Sequence, residues 1–248
     1  MKKFLVAMSL LAILVSMASL GVGANETPVL RFAADCAFPP FEIIDEVTNQ
    51  PAGFDVDLAM AIGEELGMKV EFINVAWDGL IPGLLNKNFD VIASGMTITE
   101  ERKLAVNFSD PYFTATQVIL VPANNTTVKG PEDLKGQTVT VQIGSTGDFT
   151  ASDLKGLKKV ARFNLVPEAI QEVLNGNAIA CIVDDNVAKR YIAEHPGAVK
   201  IVEGDFFPTE EYGLALRKTD KDLLTKVNQA LAALKANGKY DQIYNKYF

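Results

Sequence analysis

The most chemically suggestive stretch of the chain is Ser94-Gly95-Met96-Thr97-Ile98-Thr99-Glu100-Glu101-Arg102. It follows a mostly apolar run, Phe89 to Ala93, that reads as a buried strand. Small residues expose backbone groups, Thr97 and Thr99 supply hydroxyls, and Arg102 arrives one helical turn after a helix-capping Thr99. The planar fork of Arg102 matches a carboxylate through paired hydrogen bonds. Such a set can hold a small polar ligand at the carboxyl end of a strand, where open α/β sheets place ligands. The alternative is a capped helix followed by a solvated arginine, since arginines are mostly exposed.

A second stretch, Gly144-Ser145-Thr146-Gly147, is its counterpart further along. Backbone N–H groups at a helix start form a cradle for an anion. The spacing and lysine of a nucleotide P-loop are missing, so a carboxylate is a better guest than a triphosphate. An ordinary glycine-rich turn is the competing reading. Asp184-Asp185 closes a strand and can hold an ammonium group, or simply cap a helix. Phe38 and Trp77 follow strands and can stack on a ligand or pack in the core.

The elements that must position these residues alternate between strand and helix. Val29 to Ala33 reads as a strand, followed by a proline-fixed loop, Asp35 to Phe41. Leu58, Ile62 and Leu66 recur at four-residue spacing, which predicts an amphipathic helix after Gly53. Lys69 to Val75 is a strand, Trp77 to Pro82 opens a short helix, and the passage Asn107 to Phe113 contains a turn, Asp110 to Phe113. A second set then begins: strands over Thr138 to Ile143, Val160 to Phe163 and Ile179 to Val183 alternate with helices. Tyr212 to Leu216 is one short strand, and Asp222 to Asn237 a long amphipathic helix. The pattern predicts an α/β fold with two similar lobes, mostly parallel sheets flanked by helices. Phe113 to Gln117 and Asp205 to Glu211 are where the chain can cross between lobes, forming a two-strand hinge around a cleft.

Met1-Lys2-Lys3, the apolar run Phe4 to Leu20, and the small residues Val22-Gly23-Ala24 predict a signal peptide cleaved after Ala24. The expected location is periplasmic or secreted. A retained membrane anchor is the competing reading. The net charge of −8 argues against nucleic acid as a partner. Cys36 and Cys181 lie far apart, with no metal-site spacing, and their redox state stays open. His195, the single histidine, sits at a helix end as a structural or solvated residue. No cofactor and no metal are expected.

In the order Asp35 to Phe41, Gly53 to Leu58, Trp77 to Pro82, Ser94 to Arg102, Phe108 to Tyr112, Asp133 to Gly136 and Gly144 to Gly147, the chain resembles a known family. The family is the amino-acid-binding proteins of ABC importers, solute-binding protein family 3, with the type II periplasmic binding protein fold. The resemblance implies a monomer that captures a small-molecule L-amino acid and delivers it to a membrane permease, not an enzyme. It implies lobes over 25–114 with 208–248, and over 115–207. It further implies that Arg102 takes the α-carboxylate, helped by backbone N–H groups near Thr97, Ser145 and Thr146. Asp185 would take the α-ammonium with Ser94, Gly95 and the Thr97 hydroxyl. Phe38 and Trp77 would sandwich the side chain, and Asp35, Gln142 and Asp184 would tune its identity toward arginine, lysine or glutamine. The alternative is an exported enzyme similar to cyclohexadienyl dehydratase.

Overall fold

A computed structural model describes residues 27–248, so the expected leader lies outside the described residues. Strand β1 (Val29–Ala34) is buried along most of its length and ends at the first cavity loop. That loop folds back through β2 (Ala37–Phe38), β3 (Glu42–Ile44) and β4 (Pro51–Ala52), a three-stranded antiparallel ribbon. Helix α1 (Phe54–Glu65) buries Phe54, Leu58 and Ile62 completely, as their four-residue spacing predicts. Strand β5 (Lys69–Asn74), a 3-10 turn at Trp77–Gly79, helix α2 (Leu80–Leu85) and strand β6 (Val91–Ile92) follow. Helix α3 (Glu100–Ala105) leads into β7 (Val106–Phe108).

The ten-residue strand β8 (Phe113–Pro122) then leaves this half of the molecule. Strand β9 (Thr138–Gln142), helix α4 (Thr146–Asp153), β10 (Lys159–Phe163), α5 (Val166–Leu174), β11 (Ala180–Asp184), α6 (Asp185–Glu194) and β12 (Val199–Ile201) build the second half. The chain returns through β13 (Thr209–Tyr212) and β14 (Ala215–Arg217), and ends in α7 (Lys221–Ala236) and α8 (Lys239–Tyr247).

Two sheets result, ordered β5-β1-β6-β14-β7 and β10-β9-β11-β8-β12. In each, the strands joined through helices are parallel, and the strands that enter or leave are antiparallel. Helical crossovers impose parallel pairing, whereas direct returns allow antiparallel pairing. The two sheets meet at a ribbon: β13 pairs with the first half of β8, in the register Thr209 to Thr116 and Tyr212 to Phe113. Among the described residues, no helix is long and apolar enough to cross a membrane.

Two local expectations changed. The turn expected over Asp110 to Phe113 stops at Tyr112, because Phe113 opens β8; ahead of it lies strand β7, whose Phe108 pairs with Ala215 of the returning chain. Tyr212 to Leu216, read as one strand, is split between β13 and β14. Tyr212 belongs to the ribbon and Ala215 to the first sheet, so the chain changes partners at Gly213. A Cβ at Gly213 would come within 2.9 Å of the Ile98 side chain, so only glycine passes there without displacing it.

Phe41 anchors the loop that feeds the cavity. It is fully buried, and its ring packs against Phe113 at 4.8 Å, Tyr212 and Phe248 at 5.3 Å, and Phe54 at 6.0 Å between centroids. Edge-on aromatic packing of this kind adds to simple burial. Phe41→Ala is expected to cost about 3–5 kcal/mol, measured by urea unfolding. A loss below about 1 kcal/mol would show that the cluster closes over the gap.

Candidate functional site

The carboxyl ends of four strands, two from each sheet, converge on one cavity of about 330 Å³. The first sheet and its loops contribute Asp35, Phe38, Glu42, Trp77, Ser94, Gly95, Thr97 and Arg102. The second contributes Gln142, Ser145, Thr146 and Asp184. Strand ends do this because side chains and backbone groups beyond the last ladder bond face neither neighbour strand.

Arg102 sits in α3, whose start is fixed by the Thr99 hydroxyl accepting from the Arg102 N–H at 3.1 Å. Its guanidinium donates to the Thr97 carbonyl at 2.8 Å and to the Gly144 carbonyl at 3.1 Å. One end of the fork thus holds each sheet's loop. The Trp77 ring lies over the guanidinium, 5.2 Å from centroid to carbon, within the range of cation–π attraction. Trp77 therefore faces Arg102 as well as the cavity. Among the described residues, no ion pair includes Arg102. Burial lowers its pKa to about 10, against the opposing fields of Glu210 and Asp184.

The remaining charges of the cavity are acids. Asp184 is fully enclosed, and burial lifts its carboxyl to about 7 although the Tyr212 hydroxyl donates to it at 2.5 Å. Burial lifts Asp35 to about 6, while Gln142 Nε2 donates to it at 2.9 Å from the second sheet. Gln142 Nε2 also donates to the Asn164 carbonyl. Glu42 accepts the Ser94 hydroxyl at 2.9 Å, and Ser94 Oγ accepts the Asp35 N–H at 3.0 Å. Behind it, Asp55 accepts from the Gly95 N–H at 2.8 Å and from the Tyr112 hydroxyl at 2.7 Å. Glu42 Oε2 and Asp55 Oδ1, both buried, meet no hydrogen-bond donor. Burial and the Asp55 charge push Glu42 well up. Gly95 has φ +50, and a Cβ there would come within 2.7 Å of the Phe38 ring; a side chain would meet both strain and a clash.

Eleven of the twelve sequence-predicted residues thus share one cavity. Asp185 does not. It begins α6, pairs with Lys189 at 2.5 Å and accepts the Thr116 N–H at 3.3 Å. Asp184 ends β11 and Asp185 starts a helix, so consecutive side chains leave the backbone in different directions. Asp184 occupies the position expected of Asp185. Cys36 and Cys181 are both free and buried. His195 is exposed and stacks on Tyr191.

The sequence reading missed Glu42, Glu210 and Tyr212. Glu42 carries a signal: a lone acid in Phe41-Glu42-Ile43-Ile44 is a charge inside an apolar run. Glu210 lies beside Glu211 in a polar stretch and carries none. It accepts the Thr97 hydroxyl at 2.8 Å and the Thr146 hydroxyl at 2.7 Å.

Residues 30–248 match the sequence profile of bacterial extracellular solute-binding proteins, family 3. A probable histidine-binding protein of Neisseria gonorrhoeae is 42% identical over 91% of this chain and 85% of its own. An ancestral arginine-binding protein solved with arginine superposes with a TM-score of 0.84 and 46% identity, covering 89% of this chain and 98% of that one. An ancestral amino acid-binding protein described as a precursor of cyclohexadienyl dehydratase superposes with a TM-score of 0.82 and 44% identity, covering 89% and 95%.

The raised acids have a consequence for stability. A carboxyl with a folded pKa above its unfolded value binds its proton more tightly when folded, so stability falls as pH rises between the two values. For Asp184 that window runs from 3.8 to about 7. Lowering pH from 7.5 to 5 is expected to stabilise the ligand-free protein by roughly 2 kcal/mol from this residue. Thermal melts of Asp184→Asn should lose most of that gain; an unchanged pH dependence would place the proton elsewhere.

Proposed function

The chain belongs to the bacterial extracellular solute-binding proteins, family 3, and on that premise we propose that it captures a cationic L-amino acid of the arginine class. It works outside the cytoplasm, as a monomer, and hands its ligand to the membrane permease of an ABC importer. One observation carries this reading: a single buried guanidinium without a carboxylate partner faces a cavity whose other charges are acids. A zwitterion with a cationic side chain complements that pattern at each end. Its α-carboxylate takes the Arg102 fork and the free N–H groups at the start of α4. Its α-ammonium takes Asp184 with the Thr97 hydroxyl. Its side-chain cation reaches Asp35 and the Glu42 end, between Phe38 and Trp77.

The names of similar proteins support the same class: histidine for the gonococcal relative and arginine for the ancestral protein. Gln142 is already committed to Asp35 and Asn164, which favours a cation over glutamine. Turnover of a dicarboxylate such as prephenate is the enzymatic alternative. Asp35 and Asp184, once ionised, oppose a dianion beside a single arginine, so binding is the better reading.

Residues 25–114 with 208–248, and residues 115–207, move as the two lobes, hinged where β8 and β13 form their ribbon. Arg102 and Asp184 stand in different lobes. The ligand's opposite charges bridge them, and both contacts form fully only on closure. The ligand therefore favours the closed form by contacts the open form lacks.

In calorimetry, Arg102→Ala is expected to weaken L-arginine binding at least 100-fold, about 3 kcal/mol, since two charge-assisted bonds of ~1.5–3 kcal/mol disappear. Retained affinity within tenfold would remove Arg102 from the carboxylate site. Affinity should also depend on pH. Asp184, at about 7, and Asp35, at about 6, must be ionised to hold a cation. Binding then releases protons, and the dissociation constant at pH 5.5 should exceed that at 7.5 by on the order of a hundredfold. A pH-independent constant would exclude these acids as cation partners.

A further inference from the structure

Glu210 belongs to neither sheet's strand ends. It lies on the returning ribbon strand β13, opposite Ala115 of β8. One of its oxygens, Oε2, receives two hydroxyls: Thr97 Oγ1 at 2.8 Å from the first lobe and Thr146 Oγ1 at 2.7 Å from the second. The two threonine oxygens are 3.5 Å apart. A hydroxyl has one proton to give. The shorter contacts to a carboxylate take both protons, because charge-assisted bonds are the stronger ones. The 3.5 Å contact is then packing between two acceptors.

This has a chemical result inside the cavity. With its proton spent on Glu210, Thr97 Oγ1 presents only lone pairs to a ligand. Thr146 Oγ1 does the same and already accepts Gln117 Nε2 at 3.2 Å. A hydroxyl free to rotate would serve a carboxylate or an ammonium equally. One held as an acceptor serves only a donor.

We propose that Glu210 is a positioning residue that sets the Thr97 hydroxyl as an acceptor for the ligand α-ammonium and, by taking Thr146 as well, ties the two lobes together on closure. The proposal rests on the amino-acid-binding reading above. Glu210 does not itself line the cavity, so it acts through Thr97 and Thr146. It differs in this from Asp184, which faces the ammonium directly. The location matters: Glu210 belongs to the first lobe but lies on the hinge ribbon, paired with Ala115, where rotation between the lobes displaces a side chain least, so it stays within reach of both threonines.

The test compares L-arginine with 5-guanidinopentanoic acid, its analogue without the α-amino group, on wild type, Glu210→Gln and Thr97→Val. Affinities come from calorimetry, and dissociation rates from stopped-flow fluorescence of Trp77. Glu210→Gln is expected to weaken L-arginine binding by about tenfold or more, mainly through faster dissociation. The penalty on the desamino analogue should stay below threefold. Adding Glu210→Gln to Thr97→Val should cost much less than it costs wild type, since the hydroxyl it orients is gone. Thermal melts of each variant check folding, and Thr146→Val supplies an independent route to the same lobe tie.

Equal penalties for both ligands would mean a merely structural role and would overturn the proposal. So would full additivity with Thr97→Val, or L-arginine affinity of Glu210→Gln within twofold of wild type. If wild type binds none of the L-amino acids, the underlying reading fails instead, and the two failures are told apart by that control.

Discussion

The site depends on a buried arginine whose charge no protein carboxylate neutralises. Desolvating a guanidinium is unfavourable enough to pull its pKa down to about 10, and two carbonyls plus an aromatic face return only part of that. The nearest acids, Glu210 and Asp184, act as fields rather than partners. Such an arrangement persists because the surrounding fold holds it: α3 is capped at Thr99, and both loops that face the fork are themselves pinned. An anion entering the cavity meets a cation with its fork already oriented, so little reorganisation opposes binding.

The opposite side of the cavity inverts this logic. Asp35, Glu42 and Asp184 are each lifted by burial, and each is restrained by a donor from elsewhere in the chain. Glu42 and Asp55 are both buried behind the cavity wall. Through Ser94, Gly95 and Tyr112 they join the cavity floor to α1 and to the aromatic cluster around Phe54 and Phe41. Partly satisfied buried acids are costly, and they are retained here where a cationic ligand would complete them. Stability of the ligand-free protein and affinity for a cation are set by the same carboxyls, with opposite sign.

The β8–β13 ribbon explains how two small sheets make one site. Strand β8 starts in the ribbon and ends as a central strand of the second sheet, so any rotation of that sheet is transmitted along one continuous segment. Gln142 to Asp35, Arg102 to Gly144, Tyr212 to Asp184 and Thr146 to Glu210 are among the polar contacts that reach across. They cluster around the cavity. Packed cores lie on either side of them, which leaves the seam as the part that can open.

Much of this was legible in the residues. Alternating strands and helices, the four-residue spacing in α1, the Thr99 cap and the small-residue turns are local properties, written in neighbours along the chain. They identified the α/β class and the two small-residue stretches at the cavity, Ser94 to Arg102 and Gly144 to Gly147; Asp35 and Gln142 were reached only through the family resemblance. What stayed illegible was decided by pairs distant in sequence. The choice between Asp184 and Asp185 turned on where β11 stops and α6 begins, a one-residue matter that reverses the direction of a side chain. The break of Tyr212 to Leu216 into two strands came from a change of sheet partners at Gly213. Glu210 looked like any solvated acid until the ribbon brought it to Thr97, 113 positions away, and Thr146, 64 positions away. Sequence alone determined which side chains exist and which elements carry them; only tertiary structure decided which of them share a proton, because hydrogen bonds form between atoms about 3 Å apart whatever their separation along the chain.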